Sequence, residues 1–446
     1  MNVPNLTGIF DPHRPPSREL ADDCVHCGFC LPSCPTYVLW GQEADSPRGR
    51  IYLMKAGLDG RAEWNGAYQR HFDTCLGCMA CLTACPSGVK YDRLIEATRP
   101  QVERHGERST GDRLFREVIF SVFPHPDRLR ALAVPLRLYQ QTGLQRLVRA
   151  IGLMKLVPDR IAAMERLMPP LPASGATREL PERIPAQGEA RRRVGLLLGC
   201  VQRVFFSHVN AATARVLAAE GCEVVAPREQ RCCGALMLHA GRERDAADAA
   251  RNTIDVFERA GVDQIAINAA GCGSAMKEYG ELLRDDPAYA ERARTFSSRC
   301  VDVSVLLADL EPRAERHPLP IAVAYHDACH LQHAQGVRQQ PRRVLQTIPQ
   351  LELREILESD ICCGSAGIYN LLEPDAAGAL RDRKVANILR TGANVVASGN
   401  PGCMMQIASG LARKVDHKIH DGRIDFDDVS DVDDREIALR AQRLVS

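Results

Sequence analysis

A chain of 446 residues, 45% of them hydrophobic, is long enough for two or three domains, each with its own core. Its 57 Lys and Arg nearly cancel its 56 Asp and Glu, which leaves no electrostatic footprint for nucleic acid and no gross attraction to an anionic membrane. No apolar run approaches the ~18–20 residues that span a bilayer, and the start MNVPNLTGIFDPHRPP lacks the basic and apolar segments of a secretory signal. A cytoplasmic chain is expected, at most peripheral on the inner face of the cell membrane.

Eighteen cysteines in a reducing compartment point to metal or cluster ligation rather than to disulfides. Residues 1–110 carry the first eight, as Cys24-x-x-Cys27-x-x-Cys30-x-x-x-Cys34-Pro35 and Cys75-x-x-Cys78-x-x-Cys81-x-x-x-Cys85-Pro86. This is the spacing of bacterial two-cluster ferredoxins, in which the fourth cysteine of each run ligates the other run's cluster. A tight turn wraps three thiolates around one face of a cubane, and the chain then leaves, so the fourth iron needs a ligand from elsewhere. On that reading one [4Fe–4S] cluster takes Cys24, Cys27, Cys30 and Cys85, and a second takes Cys75, Cys78, Cys81 and Cys34. Zinc prefers two separated Cys-x-x-Cys pairs closing one tetrahedron, which two identical runs of four fit poorly.

Residues 111–190 form a helical connector and linker. From 111 to 168 apolar residues recur at helical spacing, as in LFREVIFSVF and LRALAVPLRLYQQ, with ten Arg or Lys against four Asp or Glu over 113–166. These helices are expected either to cover the ferredoxin-type domain or to touch a membrane surface. The stretch 169–190, rich in Pro, Ala and charge, reads as an exposed linker.

An internal repeat follows, over 191–315 and 316–420. Each copy opens on a buried apolar strand (RVGLLLGC; IAVAYHDAC), continues through a helix and a second strand to a Cys-Cys-Gly turn, and ends on a third strand with a lone cysteine. Alternating strands and helices predict a mostly parallel α/β sheet made twice. The whole is thus an α+β and α/β multidomain chain: a helical bacterial-type ferredoxin domain, connecting helices, and a duplicated α/β module. The four thiols of each copy, Cys200, Cys232, Cys233 and Cys272, then Cys329, Cys362, Cys363 and Cys403, come from the ends of three strands, where such sheets place ligands. They suit a further iron–sulfur cluster or a dithiol redox pair. Cys222 and Cys300 have no counterpart in the repeat and read as buried small hydrophobes. His26, His326, His330 and His333 lie near these groups, where each could hydrogen-bond a cluster sulfur or move a proton; each reads rather as a polar loop residue or one satisfied by a backbone carbonyl. Residues 421–446 read as a solvated acidic tail, since eight of the sixteen residues from Asp421 to Glu436 are acidic.

CVHCGFCLPSCPTY, SPRGRIYLMK, CLGCMACLTACPSGVKY, QRCCGALMLHAG and DICCGSAGIYNLLEP, in this order, resemble the iron–sulfur subunit of glycolate oxidase. The resemblance implies electron transfer from FAD-binding subunits, which oxidise glycolate to glyoxylate, towards the quinone pool, with no catalytic residue in this chain. Subunits serving lactate or glycerol-3-phosphate dehydrogenases share the frame. The Cys-Cys-Gly modules are also similar to those of heterodisulfide reductase, which hold non-cubane clusters and end in Cys-x-x-Cys. Here the last position is Ala275 in one copy and Gln406 in the other, so each module is one thiol short.

Overall fold

The computed structural model describes residues 8–169, 171 and 179–420, with the backbone alone for 414–420. The acidic stretch 421–446 lies outside the described residues.

The ferredoxin-type part is built from helices, among them Pro35–Trp40, Pro47–Leu58, Ala80–Ala84 and Tyr91–His105. Local chemistry starts them. Pro35 stands in the first turn of its helix, where its missing N–H costs nothing. Ser46 caps the next, its hydroxyl accepting the Gly49 N–H at 3.0 Å, with Pro47 at the following position. Met54, Phe72, Leu94 and Ile95 close a core with no exposed surface beneath the cysteine loops.

The connector contributes helices Thr110–Val122, Pro126–Gln141, Leu144–Ala150 and Asp159–Leu167. Its apolar stripes do not cover the ferredoxin-type part. Ile119 and Phe120 pack on Ile368 and Leu371, and Leu129 and Ala133 on Val204, all in the repeated half, which offers matching apolar surface. The stripes are wider than this contact. Eleven of the nineteen large hydrophobics that stand exposed among the described residues lie here, between Leu114 and Ile161.

The repeat gives two sheets. In the first, β1 (Arg183–Ile184), β2 (Arg192–Leu196), β3 (Cys222–Val225), β4 (Gln264–Ile267) and β5 (Cys300–Asp302) lie in the order β1-β3-β2-β4-β5. Every pairing is parallel except β1 on β3. In the second, β6 (Ala322–His326), β7 (Glu352–Glu355) and β8 (Val395–Ser398) lie in the order β7-β6-β8, all parallel. The shared unit is a central first strand flanked by the second and third, as β3-β2-β4 and β7-β6-β8. Part of the expected linker departs from an open chain, because β1 pairs along the β3 edge. β5 is a further addition to the first copy. The strands also stop earlier than the apolar runs suggest. β4 ends at Ile267 and β8 at Ser398, so Cys272 and Cys403 sit in the first turns of helices Ala270–Lys277 and Pro401–His420. Small and apolar residues continue across both boundaries, which hides the change from one period to the other.

Candidate metal centres

In both ferredoxin-type loops the residues on either side of the second cysteine have left-handed backbone: His26 (φ 55°) and Gly28 (φ 88°), then Gly77 (φ 63°) and Met79 (φ 62°). Alternating hands turn successive N–H groups towards one concavity, a cradle for an anion such as a thiolate-ligated cluster. Gly77 N–H already donates to Cys75 Sγ at 3.4 Å. Cys24, Cys27, Cys30, Cys81 and Cys85 line one half-open pocket. Cys34 points the other way, its thiol donating to the Asp45 carbonyl at 3.6 Å. There it faces the second run: burial first, then Cys78, Cys75, Cys34 and Cys30 push the Cys81 thiol well above the ordinary range. Exposure separates the two groups. Cys27 is exposed and Cys24, Cys30 and Cys85 half-buried, whereas Cys34, Cys75, Cys78 and Cys81 are buried.

A residue that the cysteine spacing does not announce lies between them. Arg50, 1% exposed, donates to the hydroxyls of Thr36 and Thr74 at 3.2 Å each and stands 3.6 Å from Asp45. Burial alone would raise the Cys75 thiol. Arg50 and Arg99, with hydrogen bonds from Tyr91 and Gly77, hold it below its ordinary value instead. The arginine belongs to SPRGRIYLMK, the motif that follows the first run.

In each repeated module the four thiols form a row at the carboxyl ends of three neighbouring parallel strands. The first strand is central and its crossovers lead to opposite sides, so the row lies at a topological switch point, where such sheets bind ligands. Cys200 Sγ is 3.5 Å from Cys232 Sγ, and Cys233 reaches both Cys232 and Cys272. In the second copy Cys329 Sγ is 3.8 Å from Cys362 Sγ, and Cys363 reaches Cys362 and Cys403. The hydrogen bond that each donates to its neighbour, together with burial, pushes Cys200 and Cys329 well above the ordinary thiol range. Thiols held this close together can give up their protons to a bound metal, which makes each row a fitting cradle for an iron–sulfur centre. The position three residues after the last cysteine holds no ligand in either copy. Ala275 packs in the core, and the Gln406 amide donates to the Ala377 carbonyl at 3.0 Å and accepts from Asn370 at 3.2 Å.

Cys222 and Cys300 are buried in apolar groups, as expected, Cys300 in the same core that takes in Cys233. The histidines divide. His333 is satisfied by the Thr83 hydroxyl at 2.7 Å and the Asp360 carbonyl at 3.0 Å. His330 is not: it stacks on His239 at 4.7 Å, and both rings of the pair have unpartnered nitrogens. His326 departs further from a satisfied loop residue, since it ends β6 with both ring nitrogens buried and unpartnered. His239 and Tyr369 escaped sequence reading, although each stands five residues after the glycine of its Cys-Cys-Gly turn, and each has buried polar atoms without a partner, Tyr369 in a buried side chain and His239 in a half-buried one.

Ferredoxin-type part and second module meet directly. Cys78 packs in one buried apolar group with Cys329 and Cys362. The two modules also touch: the Asn400 amide donates to Cys403 Sγ at 3.3 Å and accepts the Gly271 N–H, beside Cys272, at 3.4 Å.

Known proteins agree with this layout. Residues 20–89 match the family described as 4Fe-4S dicluster domain, and residues 194–277 and 323–408 each match the cysteine-rich domain. Two [4Fe–4S] clusters are therefore cofactors of the N-terminal part. Residues 111–168 match the linker region of glycolate oxidase iron–sulfur subunits. The probable glycolate oxidase iron–sulfur subunit of Bacillus subtilis (strain 168) is 40% identical over 396 residues, 88% of this chain and 89% of that one. The glycolate oxidase iron–sulfur subunit of Escherichia coli (strain K12) is 39% identical over 424 residues, 93% and 97% of the two chains. A lactate utilization protein A from Halalkalibacterium halodurans is 31% identical over 223 residues, 50% of this chain and 91% of that protein. The dicluster loops, the connector and both cysteine-rich modules thus occur together, in this order, along nearly the full length of two relatives, and the chain belongs to the family of glycolate oxidase iron–sulfur subunits.

Proposed function

We propose that this chain is the electron-transferring subunit of a complex in which FAD-binding subunits oxidise glycolate to glyoxylate, with the quinone pool or another acceptor receiving the electrons. Bound clusters supply one-electron chemistry, which splits the two-electron oxidation of a hydroxy acid. The residues hold, order and shield them. Cys24, Cys27, Cys30 and Cys85 are assigned to one [4Fe–4S] cluster, and Cys75, Cys78, Cys81 and Cys34 to the other. The observation that carries the reading is the gradient of exposure along the thiols. The first set opens to solvent at Cys27, beside Val25 and Phe29, each 68% exposed. The second is buried and abuts Cys329 and Cys362. An open apolar rim suits docking of a flavin subunit, and a buried inner end suits transfer inside the chain.

Co-expression with the neighbouring flavin subunits tests this. Glycolate-dependent dye reduction that disappears when this chain is omitted is the expected result. Reduction by lactate alone would transfer the reading to a lactate-oxidising complex, in keeping with the relative named for lactate utilization. Among the described residues no helix is long and apolar enough to cross a membrane. Contact with the inner face of the membrane is proposed through the connector, whose exposed leucines stand among arginines. Flotation of the complex with anionic liposomes is the expected outcome, and a complex left wholly in the soluble fraction removes membrane contact from the account.

A further inference from the structure

The two cysteine-rich modules match in their thiols but not in what stands behind them. Three residues before the first cysteine, the first module has Leu197, 2% exposed and packed in an apolar core. The second has His326 at the same place, also 2% exposed. The fold therefore asks nothing polar of this position. Yet His326 has neither ring nitrogen hydrogen-bonded, an expensive arrangement for a buried imidazole unless something else takes the lone pair. One ring nitrogen lies within 4.8 Å of Cys363 Sγ and Cys403 Sγ, which lie within the same distance of each other.

We propose that His326 is the fifth ligand of the second module, completing with Cys329, Cys362, Cys363 and Cys403 a mixed thiolate–imidazole iron–sulfur centre, while the first module offers thiols alone. Five donors exceed what one tetrahedral zinc accepts, and a row with two adjacent cysteines spreads over more than one metal. The surroundings suit an anionic cluster. Lys384, 2% exposed, has its ammonium tied to the Glu358 carbonyl and acts on Cys362, Cys363 and His326. The Asn400 amide donates to Cys403 Sγ. A neutral imidazole adds a fifth donor to the second module without adding negative charge to its cluster. The proposal rests on the iron–sulfur reading of the chain.

The test uses the full chain, purified anaerobically and reduced in steps, with histidine nitrogen labelled as 14N or 15N. Pulsed EPR of the wild type is expected to show one strongly coupled, directly bound nitrogen that shifts with the isotope. It disappears in His326→Gln and in His326→Cys, and His326→Cys retains the iron of the second module. Signals of the two ferredoxin-type clusters serve as the internal reference for correct folding and loading. If those signals are intact and the wild type shows no bound nitrogen, His326 is not a ligand and only this inference falls. A nitrogen coupling that survives both variants overturns it equally. So does a second module that carries one zinc and no iron. A chain without iron anywhere removes the reading of the whole subunit along with it.

Discussion

Arg50 shows how much a single buried charge can do beside a redox cofactor. It is almost wholly buried, neutralised only in part by Asp45, and directed at Cys75 and Cys34. A fixed positive charge favours the state with one more electron, so its removal makes that cluster harder to reduce. Arg50→Gln is expected to lower the potential of one ferredoxin-type cluster by roughly 60 mV or more, about 1.4 kcal/mol on a one-electron couple, and to leave the other nearly unchanged. EPR-monitored redox titration checks it, and an equal shift of both clusters would contradict the placement. The cysteines were legible because a repeated spacing carries its own geometry. Arg50, His239 and Tyr369 were not: a buried charge gives the first its meaning, and buried polar atoms without a partner give the other two theirs, and burial is a tertiary fact. His326 had one readable signal. Aligning the two copies sets histidine against leucine at a strand end, a substitution that a shared fold does not require.

At the scale of elements, the alternation of strand and helix revealed a parallel three-stranded unit made twice, and the Cys-Cys-Gly turns fell beyond strand ends as sheet physics demands. Boundaries were harder to read. GCGSAM and PGCMMQ are apolar or small throughout, so a strand period and a helix period fit them equally, and the helices bearing Cys272 and Cys403 were hidden. The connector misled for a related reason: its stripes show that the helices need a partner without saying which. Helix Tyr91–His105 runs from the ferredoxin-type core to the first module, where Arg93 pairs with Glu278 at 2.7 Å. On this helix burial, followed by the charge of Glu278, raises the Glu96 carboxyl to about 8. Its folded value lies above the unfolded one, so the folded chain binds the extra proton between about 4.5 and 8, and stability falls as pH rises through that window. Glu96→Gln is expected to flatten this part of a thermal-melting profile. A profile with the same slope in the variant would show that Glu96 ionises freely.

The whole molecule arranges its thiols by depth. An open set lies at the surface, a buried set behind it, and the second module's row against that, with Asn400 joining this row to the first module. Two sequence runs alone could not give this order, because spacing defines sites but not their neighbours. The contact of Cys78 with Cys329 and Cys362 joins residues more than 250 positions apart, which only the packed fold brings together. The crossed ligand sets are the hinge of the account. Iron content and EPR-monitored redox titration of the anaerobic full chain, compared with Cys34→Ser and Cys85→Ser, test them most directly. The wild type should hold roughly eight irons in its ferredoxin-type part. Cys34→Ser should alter the signal that Cys78→Ser alters, and Cys85→Ser the signal that Cys27→Ser alters. If Cys34→Ser instead altered the same cluster as Cys27→Ser, or if the wild type held zinc in place of iron, the account would be contradicted.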